Sequence, residues 1–494
     1  MKARHAPPRA HALLEALRGL GYSTATALAD IIDNSIAACA ERIDLTFNWN
    51  GLKSYITVAD NGTGMDEIEL ESAMRLGQLS PLNERRSSDL GRFGMGLKTA
   101  SFSQARRLTV LSKKRHGATG GLCWDLDFIA AGAGDEWHLL EVSQEDAEPF
   151  SRQLGQMQSG TLVIWQALDR VVSAGFAEQD FLDLIDQVQG HLAMTYHRYL
   201  EGHGPRLQIT INGRLVAPWD PLLAQHPATW SSPVERLATQ SGLIEVQCHV
   251  LPHKDRLDRA QYELAAGQEG WTAHQGFYVY RNQRLLLAGS WLGLGQGRAW
   301  TKEEAHRLAR IRLDIPNTAD TDWKIDIRKA TARPPVSVRA RLVLLAEDTR
   351  RRARLVFAHR ARAVPAGAKS IASMWRAEHV SGGVRYRIDR THPAIQSVLE
   401  QSGHPDPQLD AMLCLIEETV PVQRIWLDTA DGQETPRTGF EGEPPERLRA
   451  VLGVVYRNLV LSRGLTSQAA RELLLRMEPF DAYPKLVAAL SEEP

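Results

Sequence analysis

The sequence predicts an α+β protein. A mostly antiparallel sheet with helices on one face comes first, then an α/β segment and a largely helical C-terminal region. Three observations carry this reading. Near the N terminus a run with helical spacing passes directly into period-two alternation. From there to about residue 345 strand-like runs recur between shorter helices. Beyond Pro335 helical patterns dominate, beginning with one long run.

The 494 residues, 43% hydrophobic and 24% charged, are enough for two or three domains with separate cores. Lys and Arg number 58 against 59 Asp and Glu, so no global field draws the chain to nucleic acid and any such binding needs a local patch. The four cysteines, Cys39, Cys123, Cys248 and Cys414, form no Cys-x-x-Cys pair, which argues against a zinc ribbon or a secreted disulfide framework and fits a reducing cytoplasm. His11, Glu15 and Arg18 interrupt the apolar residues of the basic N terminus, leaving no signal-peptide core. The longest apolar stretch, "LLLAGSWLGLG" from Leu285, is too short and glycine-broken to span a bilayer.

Ser23 suits an N-cap, and Leu28, Ile31, Ile32 and Ile36 then recur at helical spacing. Asp30 and Asn34, four apart, share one face of that helix. Alternating Ile43, Leu45 and Phe47, an Asn50-Gly51 turn and Tyr55 to Val58 make a hairpin ending at Asp60. Residues 77–94, rich in Ser, Pro and Gly, suggest a lid. "RRLTVLSK", "GGLCWDLDFI", "EWHLLEV" and "GTLVIWQAL" read as further strands of a first domain, residues 1–170. A second domain, 171–345, runs from "RLQITINGRLVAPWDP" through "YVYRNQRLLLAG" to "DWKIDIRKATARPP". Residues 346–494 form the helical remainder, opened by the run from Val336.

"VADNGTGMD", residues 58–66, puts an acid at a strand end before two glycines, where backbone can approach a flat ligand and a carboxylate can accept an exocyclic amine; it is also an ordinary turn sequence. "LGRFGMGLKTAS", residues 90–101, sets Gly91, Gly94 and Gly96 before a helix start, where amides can hold phosphates and Lys98 adds a cation; a structural turn has the same composition. Thr161 opens the strand "GTLVIWQ" and is either a water-mediated contact to the same base or a plain β-former.

In this order, the Asn-bearing helix, the Asp-x-Gly-x-Gly turn, the glycine-rich hinge and the Gly-Thr strand resemble the GHKL superfamily of DNA gyrase B, Hsp90-type chaperones, histidine kinases and MutL. "GRFGMGLKTAS" and "ALADIIDNSIAA" look most like its microrchidia (MORC) branch in prokaryotes. The resemblance implies a Bergerat-type sandwich binding ATP and Mg²⁺ through Asn34 (the metal ligand), Asp60, Gly62, Gly64, Gly94, Gly96, Lys98 and Thr161, with Met65, Gly91 and Met95 beside them. The second domain resembles the transducer of these ATPases, which sends a lysine to the γ-phosphate; Lys329 is the first choice and Lys324 the alternative.

In ATP-hydrolysing relatives a glutamate four residues before the Asn activates water. Here that place holds Asp30, whose shorter arm leaves the carboxylate on the order of 1 Å short and predicts slow hydrolysis. Asp33, next to Asn34, points about 100° away from it around the helix and reads as a helix-surface or structural hydrogen-bonding residue. Arg328, Lys329, Arg333, Arg339, Arg341, Arg350, Arg351, Arg352, Arg354, Arg360 and Arg362, against only Glu347 and Asp348, could follow a DNA backbone without sequence preference or pair with acids elsewhere. The resemblance thus implies a cytoplasmic ATP-driven clamp that dimerises on ATP, holds DNA and serves prokaryotic genome defence, with any cutting supplied by a nuclease partner. The alternatives are a non-hydrolysing nucleotide-gated module or chaperone, and a MutL-like DNA repair ATPase.

Overall fold

A computed structural model describes residues 8–77, 95–132, 136–202, 207–320, 322–326, 331–358, 373–380, 383–396, 407–422, 425, 446–477 and 480–490. The chain divides into two compact units, residues 1–361 and 362–494.

The first unit contains two sheets. Eight strands form the first: β1 (Arg42–Asn48), β2 (Tyr55–Asp60), β3 (Arg107–Lys113), β4 (Gly120–Asp125), β5 (Leu140–Glu141), β6 (Gly160–Gln166), β7 (Gln208–Ile211) and β8 (Arg214–Leu215), in the order β5-β4-β3-β6-β2-β1-β7-β8. Every neighbouring pair is antiparallel except β1 with β7. The sheet therefore continues past residue 170 into a hairpin whose turn residues, Asn212 and Gly213, both take positive φ.

Helices α1 (Ala10–Arg18), α2 (Thr24–Ala37), α3 (Glu67–Met74), α4 (Gly96–Phe102), α5 (Leu126–Ala131), α6 (Gln144–Gly155), α7 (Glu178–Thr195) and α8 (His197–Leu200) accompany it. The alternation in β1 buries Ile43, Leu45 and Phe47, which join Leu28, Ile31 and Ile32 of α2, Phe102 of α4 and Leu192 of α7 in one core. Ser23 caps α2 by accepting from the Thr26 amide. The opposite face is partly closed by α6, where Leu154 covers Ala59, Leu111, Leu162 and Ile164.

The second sheet comprises β9 (Trp230–Ser231), β10 (Glu235–Thr239), β11 (Gly242–Val250), β12 (Gly276–Arg281), β13 (Arg284–Ser290) and β14 (Ala309–Asp314), with β12 parallel to β14 and β9 paired to β11. Helix α9 (Arg259–Ala266) precedes β12, and the long α10 (Val336–Ala358) lays Val338, Leu342, Ala346 and Ala353 against a core that includes Val246, Ile311 and Leu313.

In the unit 362–494, strands β15 (Trp375–Val380) and β16 (Gly383–Ile388) form a two-stranded ribbon. Helices 407–418, 446–457, 467–474 and 484–488 accompany it, with a small core of Leu448, Leu452, Leu459, Leu474 and Phe480. Among the described residues no helix is long and apolar enough to cross a membrane.

Candidate nucleotide site

Register builds the floor of the site. Asp60 at the end of β2 pairs with Thr161 of β6, which pairs with Ser112 of β3, so three polar side chains stand in a row across adjacent strands on the α2 face. Asp60 is 4% exposed; its Oδ2 accepts from the Ser35 hydroxyl at 2.8 Å and its Oδ1 from the Gly62 amide at 2.9 Å. Burial pushes its carboxyl above the ordinary range, and the Ser35 and Gly62 donors oppose that rise. Ser112 Oγ lies 2.9 Å from Thr161 Oγ1, accepts from the Met65 amide at 2.9 Å and donates to the Gly160 carbonyl at 3.0 Å. Neither Ser35 nor Ser112 stands out in the sequence, because what recruits them is strand and helix pairing.

The glycines of this turn are needed for close backbone packing. Gly64 has φ +66, and a Cβ there would stand 1.9 Å from the Lys113 carbonyl oxygen; at Gly62 it would meet the Ala38 carbonyl at 2.8 Å. We expect Gly64→Ala to destabilise the chain by more than about 1 kcal/mol, read as a drop in melting temperature, because the left-handed backbone and the clash both oppose it.

Helix α2 turns three of its polar side chains to different surroundings. Asn34 is exposed, with its Nδ2 donating to the Asp30 carbonyl at 3.1 Å. Asp30 is 6% exposed, its Oδ2 accepting from the Tyr22 hydroxyl at 3.0 Å. It faces the start of α4, where a Cβ on Gly96 would lie 3.7 Å from that oxygen. Asp33 is buried on the other side, 2.7 Å from the Tyr196 hydroxyl and 3.0 Å from Arg284 Nε of β13. The structure gives Asp33 a buried hydrogen-bonded position, as its place on the helix suggests.

Lys98 lies in the first turn of α4 and is buried. Its Nζ donates to the Ala73 carbonyl at 2.7 Å, at the end of α3, and burial lowers its pKa to about 8. Met65 and Met95 are half-buried. Gly91, Gly94 and Lys329 lie outside the described residues. Lys324 is exposed with φ +49, and its neighbour Asp326 acts electrostatically on Tyr22, whose phenol pKa is raised by burial, by Asp30 and by Asp326. The end of the second segment thus bears on the corner that holds Asp30.

Residues 22–161 match the family model of histidine kinase-, DNA gyrase B-, and HSP90-like ATPases. This stretch is a GHKL-type ATPase domain. The chain is also similar to the DNA mismatch repair protein MutL of Rhizobium leguminosarum bv. trifolii, 34% identical over 116 residues, covering 23% of this chain and 18% of that protein. MutL of Rhodospirillum rubrum is 32% identical over 126 residues, 25% of this chain and 17% of its own length. The chain therefore aligns with less than a fifth of the length of these relatives.

Beyond the GHKL domain, four of the described arginines of the basic run pair with acids or rings of the same chain. Arg341 forks onto Glu235 at 2.6 and 2.7 Å, Arg351 and Arg352 both bind Asp348, and Arg350 is buried against the rings of Trp291 and Trp300. Arg339 and Arg354 remain exposed on α10. Arg328, Arg360 and Arg362 lie outside the described residues.

Proposed function

We propose that the chain is an ATP-hydrolysing clamp, with Asp60 reading the adenine amine and Asp30 acting as the base that prepares water. The observation that supports this most strongly is the meeting of α2 and β2 inside the GHKL domain: exposed Asn34, buried Asp30 one turn earlier, and Asp60 held by Ser35 and Gly62. The donor set fits an adenine nucleotide with Mg²⁺. Asp60 is a built carboxylate acceptor, Thr161 adds a hydroxyl beside it, and Asn34 offers an amide oxygen at the open face. Mg²⁺ would supply charge neutralisation on the phosphates there. The amides of Met65, Met95, Gly96 and Lys98 lie where chain turns into helix, and Gly91 and Gly94 complete the same glycine-rich hinge in sequence. Lys329, or Lys324, is proposed to add positive charge at the γ-phosphate as in transducer domains.

The similarity to MutL favours a role in DNA maintenance, in which ATP-driven pairing of two copies encloses a duplex without sequence preference. Exposed Arg339 and Arg354 are available to phosphates on α10. A MORC-type defence role and a nuclease partner rest on the motif resemblance alone, and the MutL relatives make the repair reading the stronger of the two. Sizing the full chain with and without a non-hydrolysable ATP analogue tests the clamp. A nucleotide-dependent doubling of mass is expected, and an unchanged monomer at saturating analogue would sink it.

A further inference from the structure

Arg284 is the first residue of β13, in the second sheet, yet it is buried against α2 of the GHKL domain. Its Nε donates to Asp33 Oδ1 at 3.0 Å, its Nη2 lies 3.9 Å from Asp30 Oδ1, and its Nη1 donates to the Leu285 carbonyl at 3.0 Å. The forked, permanently charged guanidinium thus spans two carboxylates one turn apart. The hairpin that carries it is itself held: Asn282 and Gln283 take positive φ, the Tyr199 hydroxyl donates to the Asn282 carbonyl at 2.5 Å, and Arg198 donates to Gln283 at 3.3 Å. Asp30 is consequently held between two groups, the Tyr22 hydroxyl on Oδ2 and Arg284 beside Oδ1.

We infer that Arg284 is a positioning residue for the ATPase site, through which the placement of the second sheet sets the orientation of the Asp30 carboxylate. The inference rests on the ATPase reading proposed above. A base displaced by roughly 1 Å loses about a hundredfold in rate, so a shift of the β12–β13 hairpin relative to α2 is enough to switch turnover on or off. Asp33 has the complementary task of tying the guanidinium to α2, and it has no need to touch nucleotide.

Lysine keeps the charge at position 284 but loses the fork. In the full chain we expect Arg284→Lys to lower kcat by about tenfold or more while the dissociation constant for ATP, measured by calorimetry, stays within about threefold. Without nucleotide, the losses in melting temperature from Asp33→Asn and Arg284→Lys should be less than additive in the double variant, which reads the contact independently of turnover. If Arg284→Lys does not fold, the neutral pair Asp33→Asn with Arg284→Gln is measured instead, with the same split between turnover and binding expected. Wild-type turnover in a folded variant, or turnover and binding falling in parallel, overturns the inference. An unsubstituted chain that binds no ATP, or binds it without turnover, instead fails the ATPase reading and takes this inference with it.

Discussion

Asp60→Asn is expected to weaken ATP binding by about a hundredfold, close to 2.7 kcal/mol, while leaving the fold intact. The Gly62 amide is a fixed donor aimed at Oδ1, whereas the Ser35 hydroxyl at Oδ2 can rotate and accept. An asparagine must therefore keep its oxygen toward Gly62 and turn its amide nitrogen toward Ser35. The site then loses its charge and presents donors where the adenine amine needs an acceptor. Stability should move the other way. Burial raises the Asp60 pKa in the folded chain, so the folded state binds the proton more tightly than the unfolded chain does. The resulting penalty is absent below the unfolded carboxyl pKa, grows as pH rises toward the folded value, and is fully present above it. Asn removes that penalty, so at neutral pH the variant should melt no lower than the parent. It should also lose the upward shift in melting temperature that saturating ATP gives the parent. A variant that keeps this shift, with calorimetric affinity unchanged, would remove Asp60 from the adenine site.

That contrast explains why a buried carboxylate with a raised pKa persists at the end of β2. It costs stability at neutral pH, a cost that the Ser35 and Gly62 donors offset in part and that a ligand donor, on the proposed reading, would offset further. Arg284 and Asp33 show the same logic one helical face away. Each would be expensive to bury alone, and together they tie the second sheet to α2. The row Asp60, Thr161 and Ser112 and the Asp33–Arg284–Asp30 chain both converge on α2, so one helix joins the proposed base-binding corner to the second sheet.

What local pattern encodes was legible. The Ser23 cap, the apolar stripe of α2 and the alternation of β1 follow from spacing alone, and so does the long α10. Long-range pairing was not legible. The "RLQITINGRL" hairpin reads as the start of a second domain, yet β7 lies parallel to β1 and extends the first sheet, because its partner is more than 160 residues away. The β15–β16 ribbon sits in a region read as largely helical, where "VRYRI" is too short to declare its partner. At the site, Asp30, Asn34 and Asp60 come from motifs, whereas Tyr22, Ser35, Ser112 and Arg284 come only from packing. Lys98, whose place in "GLKTAS" suggests a phosphate cation, donates to the Ala73 carbonyl, a partner its motif does not name. The dense run of arginines reads equally as a DNA stripe or as pairs with acids elsewhere, and spacing alone names neither Glu235 nor the two tryptophans as partners.

Replacing Asp30 should separate hydrolysis from binding. Asp30→Asn removes the proton acceptor while keeping the Tyr22 contact, so single-turnover ATP hydrolysis is expected to fall by about a hundredfold or more with affinity changed by less than about threefold. Asp30→Glu is the sharper test. It lengthens the arm by one methylene, on the order of 1 Å, toward the start of α4, where Gly96 has no side chain to obstruct it. If the short arm is what slows the reaction, glutamate should accelerate turnover several-fold over the parent. If the parent compensates through the hold of Tyr22 and Arg284 on the carboxylate, glutamate will be crowded and slower, and relaxing that hold with Arg284→Lys should then favour glutamate over aspartate. Unchanged rates in both Asp30 variants would take Asp30 out of the mechanism and assign the activation of water to another group.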